Sequence, residues 1–182
     1  GIIVTVTSPT GLRPNIFIYK SLDVIINVLR SFPFIILIVF IIPLTRAIVG
    51  TPIGETAAIV PLTIAAAPFV ARIIESALKE VDPGVIEAAK SFGASNLQII
   101  FKVMLKEAVP AIISGLTLTI INIIGYSAMA GSVGAGGLGK VAISYGYQRY
   151  QTDVMIVTVI ILIIMVQGLQ SLGNYLYKKL NK

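Results

Sequence analysis

Gly134, Gly136 and Gly139 stand in the G-x-G-x-x-G spacing of a phosphate-cradling loop, and Asp153 follows at about the distance of a ribose-binding acid. The same stretch, Gly134 to Val141, comes within one residue of G-x-x-x-x-G-K-[ST], with Val141 where magnesium would need a hydroxyl. Both fingerprints require a strand before the glycines and a helix opening on the phosphates. Here an apolar stretch from about Ala108 to Ala130 precedes them, so a nucleotide site is rejected. Glycines at this density let backbones approach closely at crowded helix interfaces in membranes, and packing is the expected role for much of the segment.

Other reactive chemistry is scarce. Histidine and cysteine are both absent, which removes thiolate or imidazole metal sites, cysteine nucleophiles, Ser-His pairs and disulfides together. The acids are Asp23, Glu55, Glu75, Glu80, Asp82, Glu87, Glu107 and Asp153, all near the ends of predicted spans. Carriers driven by protons or sodium place ionisable groups or broken helices at the bilayer midplane, and no such relay is visible. The chain reads as a non-enzyme with no cofactor and no metal, and any ATP it uses must be handled by a partner.

What positions these residues is set by composition. Of 182 residues 56% are hydrophobic and 12% charged, with a mean hydropathy of +0.94, which is too apolar for a soluble domain of this size. Lipid offers the backbone no hydrogen-bonding partner, so the apolar stretches must be helices. The expected fold is all-α, a polytopic transmembrane bundle with four full spans at about Val24–Val49, Ala57–Leu78, Ala108–Ala130 and Val154–Leu172. Pro33 and Pro43 are expected to kink the first span, while Pro61 and Pro68 lie inside the second. The opening Gly1–Val6 has no basic region before it and does not suit a signal peptide. It resembles the end of a truncated first span, so the sequence is expected to lack its N-terminal part.

The net charge of +6 is a topology signal rather than a sign of nucleic acid, because the basic residues lie between and after the spans. One side receives Arg13, Lys20, Arg30, Arg72, Lys79, Lys90, Lys102, Lys106, Lys178, Lys179 and Lys182, and the other only Arg46, Lys140 and Arg149. That asymmetry predicts a cytoplasmic C-terminus, a cytoplasmic loop at about 80–107 and an outward segment at 131–151.

The 80–107 loop reads as two short helices. Asp82 is the expected N-cap of the first, with Pro83 at its first position. Gly93 ends it, and Ser95 with Gln98 forms a capping box for the second. Val85, Ala88, Ala89 and Phe92 give the first helix an apolar face, and Glu87 and Lys90 give it charge. Such a helix could lie on lipid headgroups or dock into a groove on a soluble partner.

The wording of the loop favours the partner. Glu87-Ala88-Ala89, three residues and then Gly93 resemble the "EAA" loop of permeases of ATP-binding-cassette importers. Gly125–Met129, the Gly-Ala-Gly-Gly-Leu-Gly ending at Gly139, Tyr145-Gly146-Tyr147 and Arg30–Leu37 are similar to methionine permeases in particular. One departure is Lys106, where the loop motif usually has proline; lysine there leaves the second helix continuous. The resemblance implies a type I importer permease of the cell inner membrane, translocating methionine and pairing with a second copy of itself. It implies a cytoplasmic ATP-binding subunit contacted through Glu87, Ala88, Ala89 and Gly93, and an extracytoplasmic methionine-binding lipoprotein. Met129, with Tyr126 and Ser127, would line the translocation path as a gate, although Met129 could equally fill a helix interface. A permease for another amino acid or small solute, or a secondary carrier, is the alternative reading.

Overall fold

The computed structural model describes residues 1–181; Lys182, counted above with the basic tail, lies outside the described residues. The described chain is helical throughout, without strands. After a short helix, α1 (Ile2–Thr7), come α2 (Ile16–Ser31), α3 (Phe34–Phe40) and α4 (Ile42–Val49). The long α5 (Glu55–Lys79) is followed by α6 (Pro83–Ser91). α7 (Asn96–Gln98) continues through a π-helical stretch, Ile99–Met104, into α8 (Leu105–Ala130). A glycine turn leads to α9 (Gly137–Lys140) and a second π-helical stretch, Val141–Tyr147, before α10 (Thr152–Leu180).

Three unbroken helices are long and apolar enough to cross a membrane: Glu55–Lys79, Asn96–Ala130 and Thr152–Leu180. The first expected span, Val24–Val49, is not a single helix: α2 and α3 meet at 102°. The cause is local. Phe32 precedes a proline and is pushed into extended backbone (φ −74°, ψ 125°), which ends α2, while Pro43 sits in the first turn of α4, where its missing N–H costs little. Pro61 and Pro68 are buried inside α5 without ending it. The second helix of the 80–107 loop does not stop at the loop's end, since Asn96 to Ala130 runs on as one 35-residue helix through Lys106.

The packing has two centres. One joins Ala77, Leu78 and Val81 at the end of α5 to Ile99, Ile100, Met104 and Ala108. The other joins Phe34, Leu37, Ile38 and Ile41 to Ala65 in the middle of α5 and Ala130 at the far end of α8. α10 leaves Ile156, Val157, Ile160, Ile163 and Ile164 exposed, an apolar surface of the kind lipid covers.

The glycine run does what close packing requires. Gly131 approaches the backbone of Lys140 and Gly136, and a Cβ on Gly139 would lie 2.0 Å from the Ala128 carbonyl oxygen. The segment therefore folds back against the end of α8 as backbone on backbone. Gly139→Ala is expected to destabilise the protein by about 1–3 kcal/mol or more, because backbone rather than a flexible side chain must give way. Gly168→Ala, in α10 with nothing within 4 Å, should be neutral to slightly stabilising, by up to about 1 kcal/mol. Thermal unfolding in detergent, followed by size-exclusion chromatography, separates the two.

Candidate functional site

α6 is built by its caps. Asp82 accepts a hydrogen bond from the Gly84 N–H at 2.7 Å, and Pro83 opens the helix. At the other end the Gly93 N–H donates to the Lys90 carbonyl at 2.9 Å and the Ala94 N–H to the Ala89 carbonyl at 3.1 Å, the paired bonds of a Schellman ending. Gly93 provides the left-handed residue this ending needs, at φ +76°. Ser95 and Gln98 then form the expected capping box, with the Ser95 N–H donating to Gln98 Oε1 at 2.8 Å.

The caps fix which face of α6 is inward. Ile86, Ala89 and Ala94 pack on the Leu78–Ile99 cluster. The expected apolar face is thus divided: Ala89 is on the buried side, Ile86 joins it, and Val85, Ala88 and Phe92 turn outward with Glu87. Phe92 is 92% exposed. Residues 85, 88 and 92 follow i, i+3, i+7 spacing and form a short apolar stripe on a helix that the chain itself has anchored. The periodicity showed that the helix had an apolar face but not which apolar residues the rest of the chain would cover.

A second constellation was not visible as such in the sequence. Arg72 pairs with Asp23 of α2 and, through Nη1, with Glu75 at 2.6 Å; Lys79 pairs with Glu75 at 2.6 Å. Arg72 also donates to Asn27 Oδ1 at 2.8 Å, and Lys79 lies over the Tyr19 ring at 5.6 Å. Tyr19, Asp23 and Asn27 form one stripe of α2, and Arg72, Glu75 and Lys79 one stripe of α5. Glu75, 2% exposed, is tolerable there because two cations and their hydrogen bonds satisfy it. The R-x-x-E-x-x-x-K spacing was the signal for the α5 half; the partners on α2, 49 residues away for Asp23, carried none.

The three residues expected to line a path are divided among different surroundings. Tyr126 stacks on Phe34 with ring centroids 4.6 Å apart and tilts against Phe69 at 6.5 Å. Met129 is 49% exposed on the surface of the protomer. Ser127 donates to the Ile124 carbonyl at 2.9 Å and lines a cavity of about 270 Å³ with Glu55, the glycine turn and Leu162 of α10. Two residues apart on one helix, Ser127 and Met129 face roughly opposite ways. Among the described residues no group of acids could hold a metal ion.

The profile of the family described as "Binding-protein-dependent transport system inner membrane component" matches residues 1–182. The chain belongs to this family. A probable D-methionine transport system permease protein, MetI, of Vibrio cholerae is 54% identical, over 100% of this chain and 80% of that protein. The methionine import system permease protein MetP of Bacillus subtilis is 44% identical, over 97% and 79%. An inward-facing structure of the MetNI methionine ABC transporter superposes with a TM-score of 0.97 at 46% identity, covering 100% of this chain and 84% of that one. A crystal structure of an amino acid ABC transporter with histidines, at 22% identity and a TM-score of 0.76, covers 98% of this chain and 82% of that one and shares the fold. This inner-membrane transport component is accordingly an all-helical importer permease, a transport subunit and not an enzyme.

The tie between α2 and α5 in this permease has a measurable consequence. Glu75→Ala removes the carboxylate that Arg72 and Lys79 share and is expected to cost about 1–3 kcal/mol, since Asp23 and Asn27 still satisfy Arg72 and Lys79 is partly exposed. Thermal unfolding in detergent checks it, with Glu80→Ala, an exposed acid without an ion pair among the described residues, expected to stay within about 0.5 kcal/mol.

Proposed function

We propose that this chain is the permease of an ATP-driven importer for methionine, working as two copies around a central path. An ATPase subunit docks beneath each α6, and an external lipoprotein delivers the substrate. The observation that carries this reading is α6 itself, which presents Val85, Ala88, Phe92 and Glu87 to the outside while its other face is packed on the chain's own core. Methionine as the substrate is supported by the relatives that bear its name.

The mechanism follows from what α6 stands on. The Leu78–Ile99 cluster is shared by the end of α5 and the start of the Asn96–Ala130 helix. A displacement of α6 by its ATPase therefore acts on two spanning helices at once, since packed cores move as units rather than deforming continuously. At the far end of the same helix lies Met129, whose flexible thioether, facing its counterpart in the second copy, can close the path and re-pack as it opens. The distribution of basic residues supports a cytoplasmic α6 and C-terminus and an outward glycine turn.

Replacing Glu87 with lysine reverses the charge offered to the ATPase. Replacing Gly93 with leucine forces a side chain into left-handed backbone at a cost of about 1 kcal/mol, with no clash in the open space around it. Both variants are expected at normal levels in the membrane, with weak recovery of the ATPase in pull-downs and loss of methionine uptake. Wild-type recovery and uptake in both would remove the docking role of α6.

Met129→Ala tests the gate separately. It is expected to leave ATPase recovery unchanged and to raise ATP hydrolysed per methionine imported, because a truncated gate leaks. An unchanged ratio in proteoliposomes would return Met129 to a packing role.

A further inference from the structure

Arg30 is not accounted for by this scheme. It lies in the last turn of α2, immediately before the 102° break, and its guanidinium sits 5.0 Å from the centroid of the Phe69 ring. Phe69 is ten residues from the end of α5, which puts the charge about 15 Å along the helix from Lys79. A charge at that depth is costly in lipid and is retained where it faces a cavity or a passing solute.

Neighbouring Arg72 is satisfied by Asp23, Asn27 and Glu75. Arg30, by contrast, has no ion pair and no hydrogen bond among the described residues, so the face of Phe69 positions a guanidinium whose five N–H donors remain available. A cavity of about 250 Å³ opens beside it, lined also by Phe69, Arg72, Ser76, Glu80 and Gly115, so that a second cation and one acid face the same space. That is below the size of a drug-binding pocket and suits a single small solute. Phe69 also meets Tyr126, which stacks on the buried Phe34, and this fixes the Phe69 ring against the core.

We propose that Arg30 is a substrate contact within the membrane, its guanidinium receiving the α-carboxylate of the passing amino acid while the Phe69 ring meets the side chain. The guanidinium fork matches a carboxylate with two parallel hydrogen bonds, and aromatic rings favour contact with a thioether sulfur. A helix broken beside the binding group is the arrangement by which spanning helices expose polar contacts at depth. The proposal rests on the chain being an amino-acid permease.

The test uses the complete transporter, with its ATPase and binding protein, in vesicles of phosphatidylcholine with and without phosphatidylglycerol. Wild type, Arg30→Gln and Arg30→Lys are compared for uptake of radiolabelled methionine and for ATP hydrolysis without substrate. Arg30→Gln is expected to lower uptake about tenfold or more in both lipids, Arg30→Lys to fall between, and basal hydrolysis to stay at the wild-type rate. Uptake equal to wild type in either variant overturns the proposal. So does a loss seen only with phosphatidylglycerol, which would make the ligand a lipid phosphate, or a parallel loss of basal hydrolysis in both variants, which would make the role structural. Failure of the wild type itself to carry methionine would instead remove the substrate reading on which the proposal stands.

Discussion

The end of this permease that carries α6 depends on the apolar cluster around Leu78 and Ile99. Ile99 is completely buried and Leu78 is 2% exposed, and between them they join the end of α5, the start of the long helix and the inner face of α6. A short helix such as α6 is marginal on its own in water. Its caps satisfy its ends, but only the cluster gives it a fixed direction. The outward stripe of Val85, Ala88 and Phe92 exists because Ile86 and Ala89 are held inward.

At the other end the same two helices meet a different kind of packing. The glycine turn has almost no side-chain volume, and Gly131 and Gly139 let backbones touch where the Leu78–Ile99 cluster uses interdigitated side chains. The permease is thus held by bulk at one end and by close backbone approach at the other. In lipid, where the hydrophobic effect does not drive helices together, such close approach is a major source of association.

Between these ends, α2 is joined to α5 by charge. Two acids and two bases balance in the Asp23–Arg72–Glu75–Lys79 array, so the array adds no net charge, and α2 is tied along two turns. Above it the chain breaks at Pro33, and Arg30 sits at the break with no ion pair among the described residues. Among the described residues, Arg72 is held by acids and Arg30 only by the face of Phe69.

The sequence by itself determined the helical fold, because an apolar chain in lipid has no other way to satisfy its backbone. It also determined the caps of α6 and the continuity through Lys106, which depend on residues within a few positions of one another. The R-x-x-E-x-x-x-K spacing on α5 was also local, but without its α2 partners it did not stand out as a site. Tertiary structure decided the rest: which apolar residues of α6 are covered, that Asp23 answers Arg72, that Tyr126 packs on Phe34 while Ser127 faces α10, and that the first expected span is not a single helix. Each of these is a contact between residues distant in sequence or an angle between helices. Periodicity assigns a residue to a face, but only packing decides what that face meets.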